Sequence, residues 1–391
     1  MRHSTERILV SHAGNLPRPA DVDRLVAEHD MAGFAARLPS AVREVVDRQI
    51  ECGVDVVNDG EYVKAAGTFA SYIQARVSGW EDLPATRPPK RAGVGERDRR
   101  EFPGVYASGL WLSGSGGPIR PGFATPGQAR PAPTTQRVCT SAVKYTGQEQ
   151  IKQDVANLKA AIAGKNVEGF IAALGPVSLG AGLHNEYYPS EEAYLSAVAE
   201  AVREEYRAIV DGGLIVQLDE PNFCTAWMFY PDYSVDEYRK LLEFYVRIIN
   251  HALEGLPQEQ VRFHTCWGSG HRPHVHDIEL KYIADLLVTI NAQSYSVEAA
   301  NVRHEHEWRV WQDVKLPDGK ILMPGVISHA TDLVEHPEVV AERLVSYASV
   351  VGKENLQTGT DCGIGSRVGH EEIVWAKLRA MSEGARLASD R

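Results

Sequence analysis

The chain has 391 residues, 43% of them hydrophobic and 24% charged, the balance of a globular protein with a sizeable core. A formal net charge of −11 argues against nucleic acid as the main partner, and no apolar run approaches the roughly 18 residues of a membrane span. The five cysteines are scattered and odd in number, which gives no disulfide framework; with no signal-like apolar run near the start, a reducing, cytoplasmic setting is expected.

Short apolar runs ending in polar residues or glycine recur at 8–12, 54–58, 170–174, 214–219, 261–266, 294–298, 321–328 and 356–361. Between them, 191–210, 235–253, 277–287, 337–351 and 371–388 carry helical amphipathic patterns, with Ser234 and Asp277 where N-caps are expected. Eight strands alternating with helices predict one (β/α)₈ TIM barrel over residues 1–391. An open doubly wound sheet is the alternative, but no Gly-rich phosphate loop opens an early helix. The Ser/Gly cluster at 113–117 lies in a Pro-rich stretch and reads as flexible chain. Residues from about 62 to 136 break the rhythm and read as an irregular Pro/Gly/Arg-rich insertion after the second strand. A hairpin pairing 102–107 with 137–144 is expected within it, and its basic clusters at 87–91 and 97–100 read as solvated faces.

A barrel of this kind places its chemistry at the C-terminal ends of its strands. Those ends carry His12, then Asn58, Asp59 and Glu61, then Asp219 and Glu220, then His264 and Cys266, then Glu298, His329, Asp361 and Cys362. Alternate residues of a strand share a face, so His264 and Cys266 can grip one ion, and Cys362 can close the site from a second strand. One imidazole and two thiolates favour Zn²⁺ over Mg²⁺ or Ca²⁺, and the chain has no CxxC pair of the kind that builds a structural zinc knuckle. Glu298 on the same rim would make the site anionic. Such a zinc activates water poorly, but it can hold a substrate thiol as thiolate near pH 7, where a free thiol of pKa about 8.5 stays mostly protonated. The chemistry suggested is alkyl transfer to sulfur. His271, His274 and His276 read as rim or loop contacts.

The segments Ser11-His12-Ala13-Gly14-Asn15-Leu16-Pro17, Asn58-Asp59-Gly60-Glu61, Gln217-Leu218-Asp219-Glu220-Pro221, His264-Thr265-Cys266-Trp267-Gly268 and Asp361-Cys362-Gly363 follow one another at these strand ends. Together they resemble the catalytic half of cobalamin-independent methionine synthase, in a short-chain branch lacking that enzyme's N-terminal domain. The resemblance implies methyl transfer to homocysteine, giving methionine, with zinc held by His264, Cys266 and Cys362 and with Glu298 as fourth ligand. It implies that Asp219 and Glu61 hold the ammonium group of homocysteine through charge-assisted hydrogen bonds. Asn15, standing where the family usually has Ser, faces the carboxylate end, and His12 and Glu220 complete the candidate substrate rim. His329 falls near the family's proton donor, a role that suits an imidazole. A methylated folate is the donor the family points to; beside a small-molecule thiol and an alkyl donor, neither a nucleic-acid nor a membrane partner is expected. The branch is also similar to epoxyalkane:coenzyme M transferase, in which an activated thiol opens an epoxide, although Asp219 and Glu61 favour an amino-bearing thiol. A zinc hydrolase or lyase with His329 or Asp361 as base is a further alternative, and thiolate-rich ligation speaks against it.

Overall fold

Parallel strands buried on both faces favour apolar runs, and each expected run overlaps a strand of the barrel, the one at 170–174 starting two residues late. The computed structural model describes residues 1–64, 71–93, 95–108, 134–268, 272–365 and 367–391. His271 and the 113–117 cluster lie outside the described residues. The barrel strands are β1 (Leu9–Val10), β2 (Val56–Asn58), β3 (Glu168–Leu174), β4 (Ile215–Asp219), β5 (Val261–Thr265), β6 (Ser294–Val297), β7 (Ile321–Ile327) and β8 (Gln357–Thr360). They form an 8-stranded sheet in which every strand from β2 onward pairs with its successor and β8 pairs with β1. Asp55 bridges the remaining seam between β1 and β2. Its amide donates to Val10 O at 2.8 Å, and its carboxylate accepts from Val10 N at 2.9 Å. The architecture is a (β/α)₈ TIM barrel, as expected from the alternation.

The surrounding helices include α1 (Met31–Glu51), α2 (Gln148–Ile162), α3 (Glu191–Asp211), α4 (Val235–Ala252), α5 (Pro337–Val351) and α6 (Glu371–Ser389). Ser234 caps α4 in a full capping box with Glu237, satisfying amide groups that a helix start leaves bare. The expected 277–287 helix is corrected. Only a 3₁₀ turn at Leu280–Tyr282 and one helical turn at Ala284–Leu287 form there. Asp277 caps neither, because its buried carboxylate is taken by His274 and His304.

The stretch after β2 also differs from expectation. Thr135–Tyr145 pairs antiparallel with Val77–Pro84, and residues 102–107 fall largely on a short helix, Pro103–Ser108. Proline at the first helical position suits a helix start and removes a donor that a strand would need. Gly79 permits the hairpin's irregular register. Its φ is 103°, and a Cβ there would lie 2.9 Å from Ala142 O. Arg76 ties this hairpin to the barrel: it donates to Asp154 of α2 at 2.6 Å and to Glu205 of α3 at 3.3 Å, both carboxylates buried. Most of the basic clusters' charges are paired, with Arg87 on Glu186, Lys90 on Glu191 and Arg100 on Asp232.

Candidate metal and substrate site

His264 lies on β5 and Cys266 just beyond it, while Cys362 follows β8. One ligand atom from each of the three falls within 4.8 Å of the others. The β5–β6 register sets His264 opposite Ser296, and the hydroxyl lies 2.9 Å from Nδ1. With Nδ1 so engaged, Nε2 is buried without a hydrogen-bond partner among the described residues. The neighbouring Cys362 sulfur, then burial, push the Cys266 thiol well above its ordinary range, whereas Cys266, then His264, hold the Cys362 thiol well below it against burial. An orphaned imidazole nitrogen beside two sulfurs, with the far nitrogen anchored by a neighbouring group, fits a zinc donor set.

A second cluster adjoins the first. One ligand atom each from Glu298, His329 and Asp361 also falls within 4.8 Å of the others. Glu298 Oε2 accepts from Trp267 N and Oε1 from Asn301 Nδ2, both at 2.8 Å. Asp361 Oδ1 accepts from Ala299 N and Ala300 N at 2.7 Å each, while its Oδ2 and His329 Nδ1 are buried without partners among the described residues. Burial, then the charge of Glu298, pushes the Asp361 carboxyl well above the carboxylate range. A Cβ on Gly325 would lie 2.5 Å from Asp361 N and Oδ1, so the bare backbone of β7 lets Asp361 into this position.

Beside the sulfur cluster lies an acidic wall. Burial raises Glu61 to about 7, and it raises Asp219 to about 6 against the opposing pull of His264. Glu61 adopts a left-handed backbone, φ 58°, directly after Gly60, a conformation costly for a non-glycine residue and concentrated at functional sites. Asn15 belongs to the same corner: a Cβ on Gly363 would lie 2.5 Å from its Oδ1, and one on Gly14 would lie 2.8 Å from Glu61 Oε1. Two other rim candidates point elsewhere. His12 Nε2 bonds Gln49 at 2.8 Å, and burial lowers the imidazole to about 4. Glu220 accepts from Val177 N, Ser178 N and Ser178 Oγ beside the barrel.

The family model for the cobalamin-independent synthase catalytic domain matches residues 135–387. The chain belongs to that family. Among curated relatives, a methionine synthase from Pyrococcus horikoshii is 25% identical over 218 residues, 56% of this chain and 56% of the relative. One from Saccharolobus islandicus is 22% identical over 223 residues, 56% of this chain and 58% of the relative. The matched stretch thus spans about half the length of these relatives. Solved structures extend the likeness of fold to the whole chain. A B12-independent methionine synthase from Shewanella sp. W3-18-1 in complex with selenomethionine has TM-score 0.66 and 20% identity, covering 98% of both chains. A methyltransferase from Methanosarcina mazei has TM-score 0.54 and 12% identity, covering 98% of this chain and 94% of that one.

Within the cobalamin-independent synthase match lie Asp219, Glu220, His264, Cys266, Glu298, His329 and Cys362, whereas His12, Asn15 and Glu61 precede it. β1 and β2 bring Asn15 and Glu61 to the same end of the barrel as the sulfur cluster. Four further residues escape a reading of strand ends alone. Ser296 anchors His264, and its place opposite that residue in the strand register was the available signal. Arg262, two residues before His264 on the same face, is wholly buried, stacks 3.9 Å from the Phe170 ring and donates to Ser11 Oγ at 2.7 Å. His304 stacks 3.9 Å from the Trp267 ring, bracing the residue whose amide holds Glu298. Lys64 follows Glu61 on a tight turn and looks unremarkable in sequence, yet its side chain is buried.

Proposed function

We propose that this chain is a zinc-dependent methyltransferase that activates the thiol of homocysteine and methylates it to methionine, with a methylated folate as donor, in the cytoplasm. The observation that carries the reading is the orphaned Nε2 of His264 beside the paired sulfurs of Cys266 and Cys362 at the C-terminal mouth of the barrel. His264, Cys266 and Cys362 would hold the metal, with Glu298 completing the set. Bound there, Zn²⁺ supplies a soft Lewis acid that keeps a substrate thiol deprotonated near neutral pH. Ser296 fixes the imidazole's orientation and tautomer through Nδ1. Glu61 and Asp219 offer paired carboxylates to a substrate ammonium, which would restore their charged forms against burial. As the S–CH₃ bond forms and the donor's N–CH₃ bond breaks, His329 hands a proton to the leaving nitrogen. Burial opposes the protonated imidazole, and the neighbouring charges of Glu298 and Cys362 favour it.

The test joins metal analysis to spectroscopy. The protein as isolated should contain zinc, and its zinc-edge absorption should gain one sulfur neighbour on adding homocysteine, with methylated folate then yielding methionine. A spectrum unmoved by homocysteine, or full activity after zinc removal, would overturn the reading; a response to coenzyme M alone would favour epoxide opening.

A further inference from the structure

An acid recruited to hold a substrate's ammonium has a resident ammonium beside it. Lys64 Nζ lies 3.2 Å from Glu61 Oε2, and both side chains are buried. The Lys64 amide donates to Glu61 O at 3.0 Å, closing a tight turn over Tyr62 and Val63 that brings the two side chains together. The lysine head is held: it donates to Ala172 O of β3 at 2.8 Å and lies 4.9 Å from the Tyr72 ring. Tyr72 is itself fixed, accepting from Leu174 N at 3.1 Å and donating to Glu205 at 3.2 Å. The positive charge of Lys64 also opposes the burial-driven rise of Asp59 and Asp219.

An α-amino acid carries its ammonium and carboxylate on one carbon. A buried glutamate and lysine one hydrogen bond apart present the opposite charges at matching spacing, whereas a thiol bearing only an anion would meet Glu61 and Asp219 as like charges. Asn15 stands in this corner but brings an amide without charge. We propose that Lys64 is a specificity-determining residue whose ammonium pairs with the carboxylate of an α-amino-acid thiol while Glu61 and Asp219 take its ammonium. The inference rests on the homocysteine reading above and names the group that reads the substrate's second charge.

Calorimetry with L-methionine and 3-(methylthio)propylamine, which lacks only the carboxylate, tests this without needing turnover. Wild type should hold methionine about tenfold or more tighter than the amine. Lys64→Met should reduce that preference toward unity, and Lys64→Arg should keep most of it. Thermal melts of both variants establish that they are folded. A Lys64→Met protein that weakens both ligands by one common factor, preserving the preference, would overturn the assignment and leave Lys64 a structural cation. Equal binding of the two ligands by wild type would overturn it too, with the homocysteine reading intact. Failure of wild type to bind either ligand would remove that reading and the inference with it.

Discussion

Ser296 Oγ and His264 Nδ1 meet at 2.9 Å because β5 and β6 pair these two residues directly. Backbone register thus decides which imidazole nitrogen is left for a metal. Ser296→Ala should lower zinc affinity by about 10–100-fold, the usual effect of removing the group that orients a ligating histidine. Chelator competition measures it. An unchanged affinity would mean that packing alone orients the ring.

Cys362 supplies the only candidate thiolate from outside β5 and its extension. Cys362→Ala should lose bound zinc while its circular dichroism stays that of the wild-type barrel. Glu298→Gln separates two roles for that carboxylate. A ligand's removal lowers zinc affinity, whereas a group that merely accepts from Trp267 N and Asn301 leaves it unchanged. Metal content after dialysis against a chelator distinguishes these outcomes.

Arg76 holds together two buried acids from different helices, Asp154 and Glu205. Burial already raises Asp154 to about 7 despite this partner. Arg76→Met would strand both carboxylates in the interior and should cost about 3–5 kcal/mol in urea unfolding, typical of breaking a buried pair from one side. A loss below about 1 kcal/mol would show that proton uptake compensates for the missing cation.

The barrel strands β3, β4 and β7 were legible because they are covered on both faces and read as mainly apolar runs, whereas the buried β5 and β6 alternate apolar with polar residues and showed through their period of two. The hairpin strand Val77–Pro84 was not legible. It is short of apolar residues, and Gly79 interrupts its alternation with an irregular register. Asp277 misled for a different reason. An Asp before a helical pattern reads as a cap, but here it meets His304, a partner 27 residues away that only the folded loops bring near. The His264–Cys266–Cys362 cluster could be read because strand periodicity and strand ends suffice to place it. Lys64 could not, since a lysine in a turn is ordinarily solvated, and its burial comes from Tyr72 and Ala172 beyond the turn.

Glu61 also gives the ligand-free protein a pH signature. Its carboxyl is raised from an ordinary 4.5 to about 7, chiefly by burial and despite Lys64. The folded state therefore binds this proton more tightly than the unfolded chain does. Stability from this group is fully present below about pH 4.5 and is lost as pH rises through about 7. Glu61→Gln cannot lose a proton, so it should escape this decline. The difference in melting temperature, variant minus wild type, should grow between pH 4.5 and 7 in the absence of substrate and level off above. A difference that stays flat across that window would show that Glu61 is already ionised in the folded protein, paired with Lys64 strongly enough to cancel its burial.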